Sequence, residues 1–154
     1  MVPEDRPDAG VGLIELVLVL AFTSVLAALA MPNLSAARNG YELLTASANV
    51  EAKVAEARTN AVKRNLNAWV LVTPATGTVQ VQTPGPVNVS PAEQLPARVI
   101  IVAPNVEQQL LFDTLGRPID AAGALVPHII QIRHTETGLV RTVTVGTTGR
   151  VTVN

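Results

Sequence analysis

From Val11 to Met31 the chain reads VGLIELVLVLAFTSVLAALAM, 21 residues with one charge, Glu15. A helix rises about 1.5 Å per residue, so roughly 20 apolar residues cross a hydrocarbon layer of about 30 Å. The run predicts one membrane-spanning helix. A secretory signal peptide has a shorter apolar core of about 7–15 residues, a basic stretch before it and a small-residue cleavage site after it. Here the preceding MVPEDRPDAG holds one Arg and three acids, and Met31-Pro32-Asn33-Leu34 follows. The span also accounts for a mean hydropathy of +0.35, high for a water-soluble domain.

Beyond the span the pattern changes twice. From Leu34 to Arg64 there is no proline and one glycine, Gly40. Apolar residues recur at three- and four-residue steps in two stripes, one through Leu34, Ala37, Tyr41, Leu44, Ala48 and Ala55, the other through Leu43, Ala46, Val50, Val54, Ala57 and Ala61. Glu51 and Arg58 interrupt the first stripe, so the second is expected to face a core. Pro32 lacks an N–H and crowds the preceding turn, which predicts a kink or local unwinding there. Lys63-Arg64-Asn65 suits a helix C-terminus. The expectation is one helix over 13–64, about 75 Å long if straight.

The remainder is β-patterned and divided by turns. Ala68–Thr73 and Thr78–Gln82 flank Pro74-Ala75-Thr76-Gly77, and His128–His134 and Leu139–Val145 flank Thr135-Glu136-Thr137-Gly138, two hairpin signatures. Arg98–Ala103, Leu110–Asp113 and Arg150–Val153 are further strands, while Thr83–Pro96 reads as a loop. The predicted class is α+β: a long N-terminal helix, half membrane-spanning and half amphipathic, packed on an antiparallel β-sheet head of six or seven strands.

Glu15 is the exceptional residue. A carboxylate at the centre of an apolar span costs about 2.5 kcal/mol or more, less near an end, and commonly has a partner and a function. No basic residue lies in the span to pair with it. Position alone leaves two readings, an inert headgroup-level acid or a functional one. The neighbours favour the second. Gly10-Val11-Gly12-Leu13-Ile14-Glu15-Leu16 resembles the processing motif of type IV prepilins, in which a Gly precedes the scission, an apolar residue becomes the new N-terminus and a Glu is the fifth mature residue. Pro32 falls where pilins often carry a proline. Val11 stands where Phe is usual, Gly12 where Thr is common, and the leader is acidic where a basic one is usual.

The resemblance implies the pilin fold and four segments: a leader at 1–10, a transmembrane and assembly helix at 11–31, a stem helix at 32–65 and a periplasmic head at 66–154. It further implies cleavage between Gly10 and Val11 by prepilin peptidase, methylation of Val11, and a contact between Glu15 and the new amine of a neighbouring subunit. Opposite charges in a low dielectric attract strongly and relieve part of each other's desolvation cost. The implied partners are other pilin or pseudopilin subunits, an inner-membrane assembly platform and lipid. The implied setting is a bacterial inner membrane, spanned once, and then a filament.

The order of parts is similar to the GspH/FimT group of minor pilins and pseudopilins. Ala57-Arg58-x-x-Ala61-Val62-x-Arg64 before a strand looks like that group's helix end, and Gly138 to Val153 like its closing hairpin. The machine is then a type II secretion system or a type IV pilus. A FimT-like DNA-uptake pilin is an alternative. Its basic motif G-R-x-R is met here by Gly149-Arg150-Val151-Thr152, with Thr at the second basic place. Arg133, Arg141 and Arg150 are the candidate DNA contacts, opposed between Arg133 and Asn154 only by Glu136. Stacking aromatics are missing there, which argues against firm single-strand binding. A membrane-tethered binding module that never polymerises is the remaining alternative.

No enzymatic constellation is expected. His128 and His134 lie six apart on one predicted strand, on the same side but about 20 Å apart, too far to share a metal, and read as polar strand-end positions. No nucleotide-binding, zinc-protease or hydrolase motif occurs, and no cofactor is implied. Cysteine is absent and the net charge is -1, which excludes a disulfide framework and gives no sign of a globally nucleic-acid-binding surface.

Overall fold

A computed structural model describes residues 12–85 and 87–154, without the side chains of 30–33. The leader, Gly10, Val11 and the scission between them lie outside the described residues. Helix α1 runs Leu13–Arg64, 52 residues, with the bounds expected from the periodicity. It closes on Asn65, which takes a left-handed φ of 51°. Asn65 N–H donates to Val62 O at 3.3 Å and Leu66 N–H to Ala61 O at 3.2 Å, the paired bonds of a Schellman cap. The helix is assigned without a break across Pro32, so the local unwinding expected there is not seen.

The chain divides between Arg38 and Asn39 into two compact units. The second therefore takes most of the expected stem together with the strands. The physical reason is burial: the stripe Leu43, Ala46, Val50, Val54, Ala57 and Ala61 is covered, while Tyr41, Leu44, Ala48 and Ala55 of the other stripe are exposed. Ala46, Ala57 and Ala61 carry only methyls, which lets strands approach the helix axis closely.

Among the described residues ten strands follow: β1 Ala68–Thr73, β2 Thr78–Thr83, β3 Val87–Asn88, β4 Glu93–Gln94, β5 Val99–Ala103, β6 Gln108–Phe112, β7 Pro118–Ile119, β8 His128–His134, β9 Val140–Val145 and β10 Val151–Val153. All pairings are antiparallel. The strands form two sheets where the sequence suggested one. The first has the order β3-β2-β1-β6-β7, with β4 also on β2; the second is β10-β9-β8-β5. The three unexpected strands, β3, β4 and β7, are two residues long, and a pairing that short leaves no alternation to read. Seven longer strands match the expected ones to within two residues at each end.

Strict alternation turns one face of each sheet inward. Val70, Val72, Val79, Val81, Leu110 and Phe112 of the first sheet and Ile101, Ile130, Ile132, Val143 and Val145 of the second meet the helix stripe in one cluster. The loop expected over 83–96 carries β3 and β4 and is tied to the helix by polar groups. Lys53 Nζ donates to Ser90 Oγ at 2.9 Å, Glu56 Oε2 at 3.2 Å and Pro91 O at 3.3 Å, and Asn49 Nδ2 donates to Glu93 Oε1 at 2.9 Å.

Candidate assembly site

Glu15 is the third residue of α1, and its side chain folds back on the helix start. Gly12 O accepts the first helical bonds, from Glu15 N–H at 3.0 Å and Leu16 N–H at 3.2 Å. Glu15 Oε2 in turn accepts the Gly12 N–H at 3.1 Å. This is the acidic half of a capping box, with Gly12 in the N-cap place. It satisfies one of the four donors a helix start leaves open, and the helix dipole favours a negative group there.

Below this cap the helix is a bare apolar surface. Every large apolar side chain from Leu13 to Leu29 is between 52% and 82% exposed. The only polar side chains in this stretch besides Glu15, Thr23 and Ser24, turn their hydroxyls back onto the helix, donating to Val19 O at 2.9 Å and Leu20 O at 2.7 Å. A helix this long and apolar meets the requirement for crossing a membrane. No described residue covers it, and an apolar surface of this extent suits a lipid layer or another molecule better than water.

The head is fastened at a junction that the sequence reading did not single out as a site. Arg58 Nε donates to Gly116 O at 2.9 Å. Gly116 sits in the turn between β6 and β7 at a φ of +73°. Asp113 shapes that turn, its Oδ1 accepting Leu115 N–H at 3.0 Å and Arg117 N–H at 2.8 Å while Oδ2 accepts Arg117 Nη2 at 2.7 Å. Burial works against this carboxylate, but the bonds from Arg117 and Leu115 outweigh it and hold its pKa below the ordinary value. Gly149, from the turn between β9 and β10, lies against the same guanidinium. A Cβ placed on it would fall 2.5 Å from Arg58 Nη2 and 2.8 Å from Gly116 O. The two motifs quoted for the head, Ala57–Arg64 and Gly138–Val153, thus meet at one residue. The exposed side of this junction is a groove of about 370 Å³ lined by Ala55, Arg58, Thr59, Val62, Lys63 and Gly116.

The two histidines are the end residues of β8, as expected, and both are buried, which the strand pattern did not indicate. They do share a face of β8, as the alternation required. Leu111 O can only accept, so His128 Nε2 carries the proton and donates to it across 3.1 Å, linking the two sheets. His128 also stands edge-on to Phe112, with ring centroids 5.7 Å apart. His134 Nδ1 faces the Glu136 and Thr137 N–H groups at 3.3 Å each, and its Nε2 lies 3.6 Å from Glu42 Oε2. Among the described residues no group of three or more His, Cys, Asp or Glu could hold a metal ion.

Burial lowers the His128 pKa below 6.5, against the smaller opposing effect of the Leu111 carbonyl. The folded state favours neutral imidazole, so below about pH 6.5 the unfolded chain binds the extra proton. This contribution to stability is complete above that pH and is lost as pH falls through the lowered folded value. Unfolding free energy measured from pH 7.5 to 5 is expected to fall, with a flatter slope in His128→Leu; the same slope in both chains would remove His128 from the account.

The three arginines do not converge. Register pairs Arg133 with Val140 and Arg141 with Ile132. Ile132 is on the buried face, so Arg141 projects at the rim of that side and Arg133 from the other. Arg150 O accepts Gly146 N–H at 2.9 Å, at the far end of β9 from Val140. Six residues of strand separate those levels, about 20 Å. Glu136 is engaged with Arg98 at 3.3 Å. The three positions therefore do not share one face and one level of the sheet.

No known protein family's profile matches the sequence, and no curated protein matches it. Solved structures do. The type IV minor pilin FimU of Pseudomonas aeruginosa superposes with a TM-score of 0.59 at 15% identity, over 74% of this chain and 89% of that one. This chain has the pilin fold. The minor pseudopilin EpsH from the type 2 secretion system of Vibrio cholerae superposes with a TM-score of 0.56 at 11% identity, over 73% of this chain and 96% of that one. At these identities what is shared is architecture, a long helix packed on antiparallel sheet, as the α+β expectation required.

Proposed function

We propose that this chain is a minor pilin or pseudopilin subunit of a type IV pilus or a type II secretion system, held in a bacterial inner membrane by one span, its head in the periplasm, until it enters a filament. The observation that carries this reading is the uncovered apolar helix on a chain with the pilin fold. A soluble protein has no use for eleven large apolar side chains left more than half exposed, from Leu13 to Leu29. A subunit that exchanges lipid for neighbouring helices does. In this reading prepilin peptidase cuts between Gly10 and Val11, Val11 is methylated, the assembly platform delivers the subunit, and its new amine meets Glu15 of a neighbour. The GspH/FimT subgroup rests on the motifs that join at Arg58. The chain contributes structure and no catalysis. The DNA-uptake alternative loses support from the separation of Arg133, Arg141 and Arg150.

The test is Glu15→Leu. Once mass spectrometry has shown a membrane pool beginning at Val11, the fraction of the chain in sheared filaments is compared with wild type. Removing one partner of a buried ion pair costs about 3–5 kcal/mol, so incorporation should fall by more than about tenfold at an unchanged membrane level. Unchanged incorporation would leave a tethered module as the better description.

A further inference from the structure

We infer that the backbone N–H of Gly12 is a positioning group for Glu15: it holds the carboxylate by one oxygen in the lone subunit and leaves the other for the incoming amine. This rests on the assembly reading above. Glu15 Oε2 accepts the Gly12 N–H at 3.1 Å, and no hydrogen bond from a described residue engages Oε1. A free glutamate side chain samples many rotamers, and fixing it on docking costs binding energy. Bonded to its own helix start, it is already fixed. The same bond and the helix dipole offset part of the cost of keeping a carboxylate in an apolar layer before any neighbour arrives. Glycine suits the place for a stated reason. It has no side chain to compete for the Ser- or Thr-type half of the capping box, so among the described residues the peptide N–H is the one hydrogen-bond partner of that carboxylate. A Cβ there would meet only Ile14 Cγ2, at 3.9 Å, so Gly12→Ala is tolerated and keeps the donor.

The experiment has two arms. In the first, the full chain in phosphocholine micelles, where no filament forms, is followed by amide exchange at Gly12. Exchange should be about tenfold faster in Glu15→Ala than in wild type, the worth of one hydrogen bond to a charged acceptor, while Glu15→Gln, which retains an acceptor oxygen, should stay close to wild type. Equal exchange in wild type and Glu15→Ala overturns the inference and leaves the Glu15–amine contact untouched. In the second, Gly12→Pro, which lacks the N–H, should enter filaments severalfold less than Gly12→Ala, each normalised to its mature membrane pool; equal entry overturns the positioning role. Failure of Glu15→Leu to reduce incorporation sinks the assembly reading itself, a result neither arm produces.

Discussion

Phe112→Ala is expected to lower the unfolding free energy by about 3–5 kcal/mol, the range for truncating a fully buried phenylalanine. Phe112 has no exposed surface. It sits on β6 between the Ala68 and Pro118 registers and under the His128 ring. Ala68 opposite it has only a methyl, so that neighbour cannot swing in to fill the space. Domains of this size are stable by about 5–15 kcal/mol in all, so the variant sits near its limit. The chain has one tryptophan, Trp69, half-buried on β1 with its indole N–H bonded to Gln82 at 3.0 Å. Its fluorescence in urea follows the first sheet directly. A loss below about 1 kcal/mol would mean that the head repacks in a way a dense core does not allow.

Gly149→Ala should cost about 2–4 kcal/mol, combining the strain of a side chain at positive φ with loss of a hydrogen bond from a charged donor. Gly149 has a φ of +82°, and its added methyl would lie 2.8 Å from Gly116 O, a backbone atom that cannot step aside. Arg58 would have to leave that carbonyl. The effects are therefore coupled: in an Arg58→Ala background, where the guanidinium is already gone, Gly149→Ala should cost at least about 1 kcal/mol less than in wild type. Full additivity would show that the cost lies in the positive φ and the Gly116 carbonyl, with no part from Arg58. The readout is the same tryptophan transition, with the full chain in detergent.

The architecture was readable because its signals are local. The 21-residue apolar run, the three- and four-residue spacing of Leu43 to Ala61 and the two-residue alternation of β1, β2, β8 and β9 are each contained in a short window. What was misread depends on residues far apart in sequence. His128 and His134 look like ordinary polar residues until β6 and the helix cover them. Arg133, Arg141 and Arg150 look like a basic cluster until strand register sends them to different faces and ends.

The sequence by itself determined that this chain has an apolar N-terminal helical run long enough to cross a membrane, an amphipathic helix with one core-facing stripe and a β-rich head, since hydropathy and periodicity act residue by residue. Tertiary structure alone decided the split into two sheets and the meeting of Arg58, Gly116 and Gly149. These depend on directed contacts at about 3 Å, and no spacing along a chain encodes which donor will reach which acceptor once the backbone has turned.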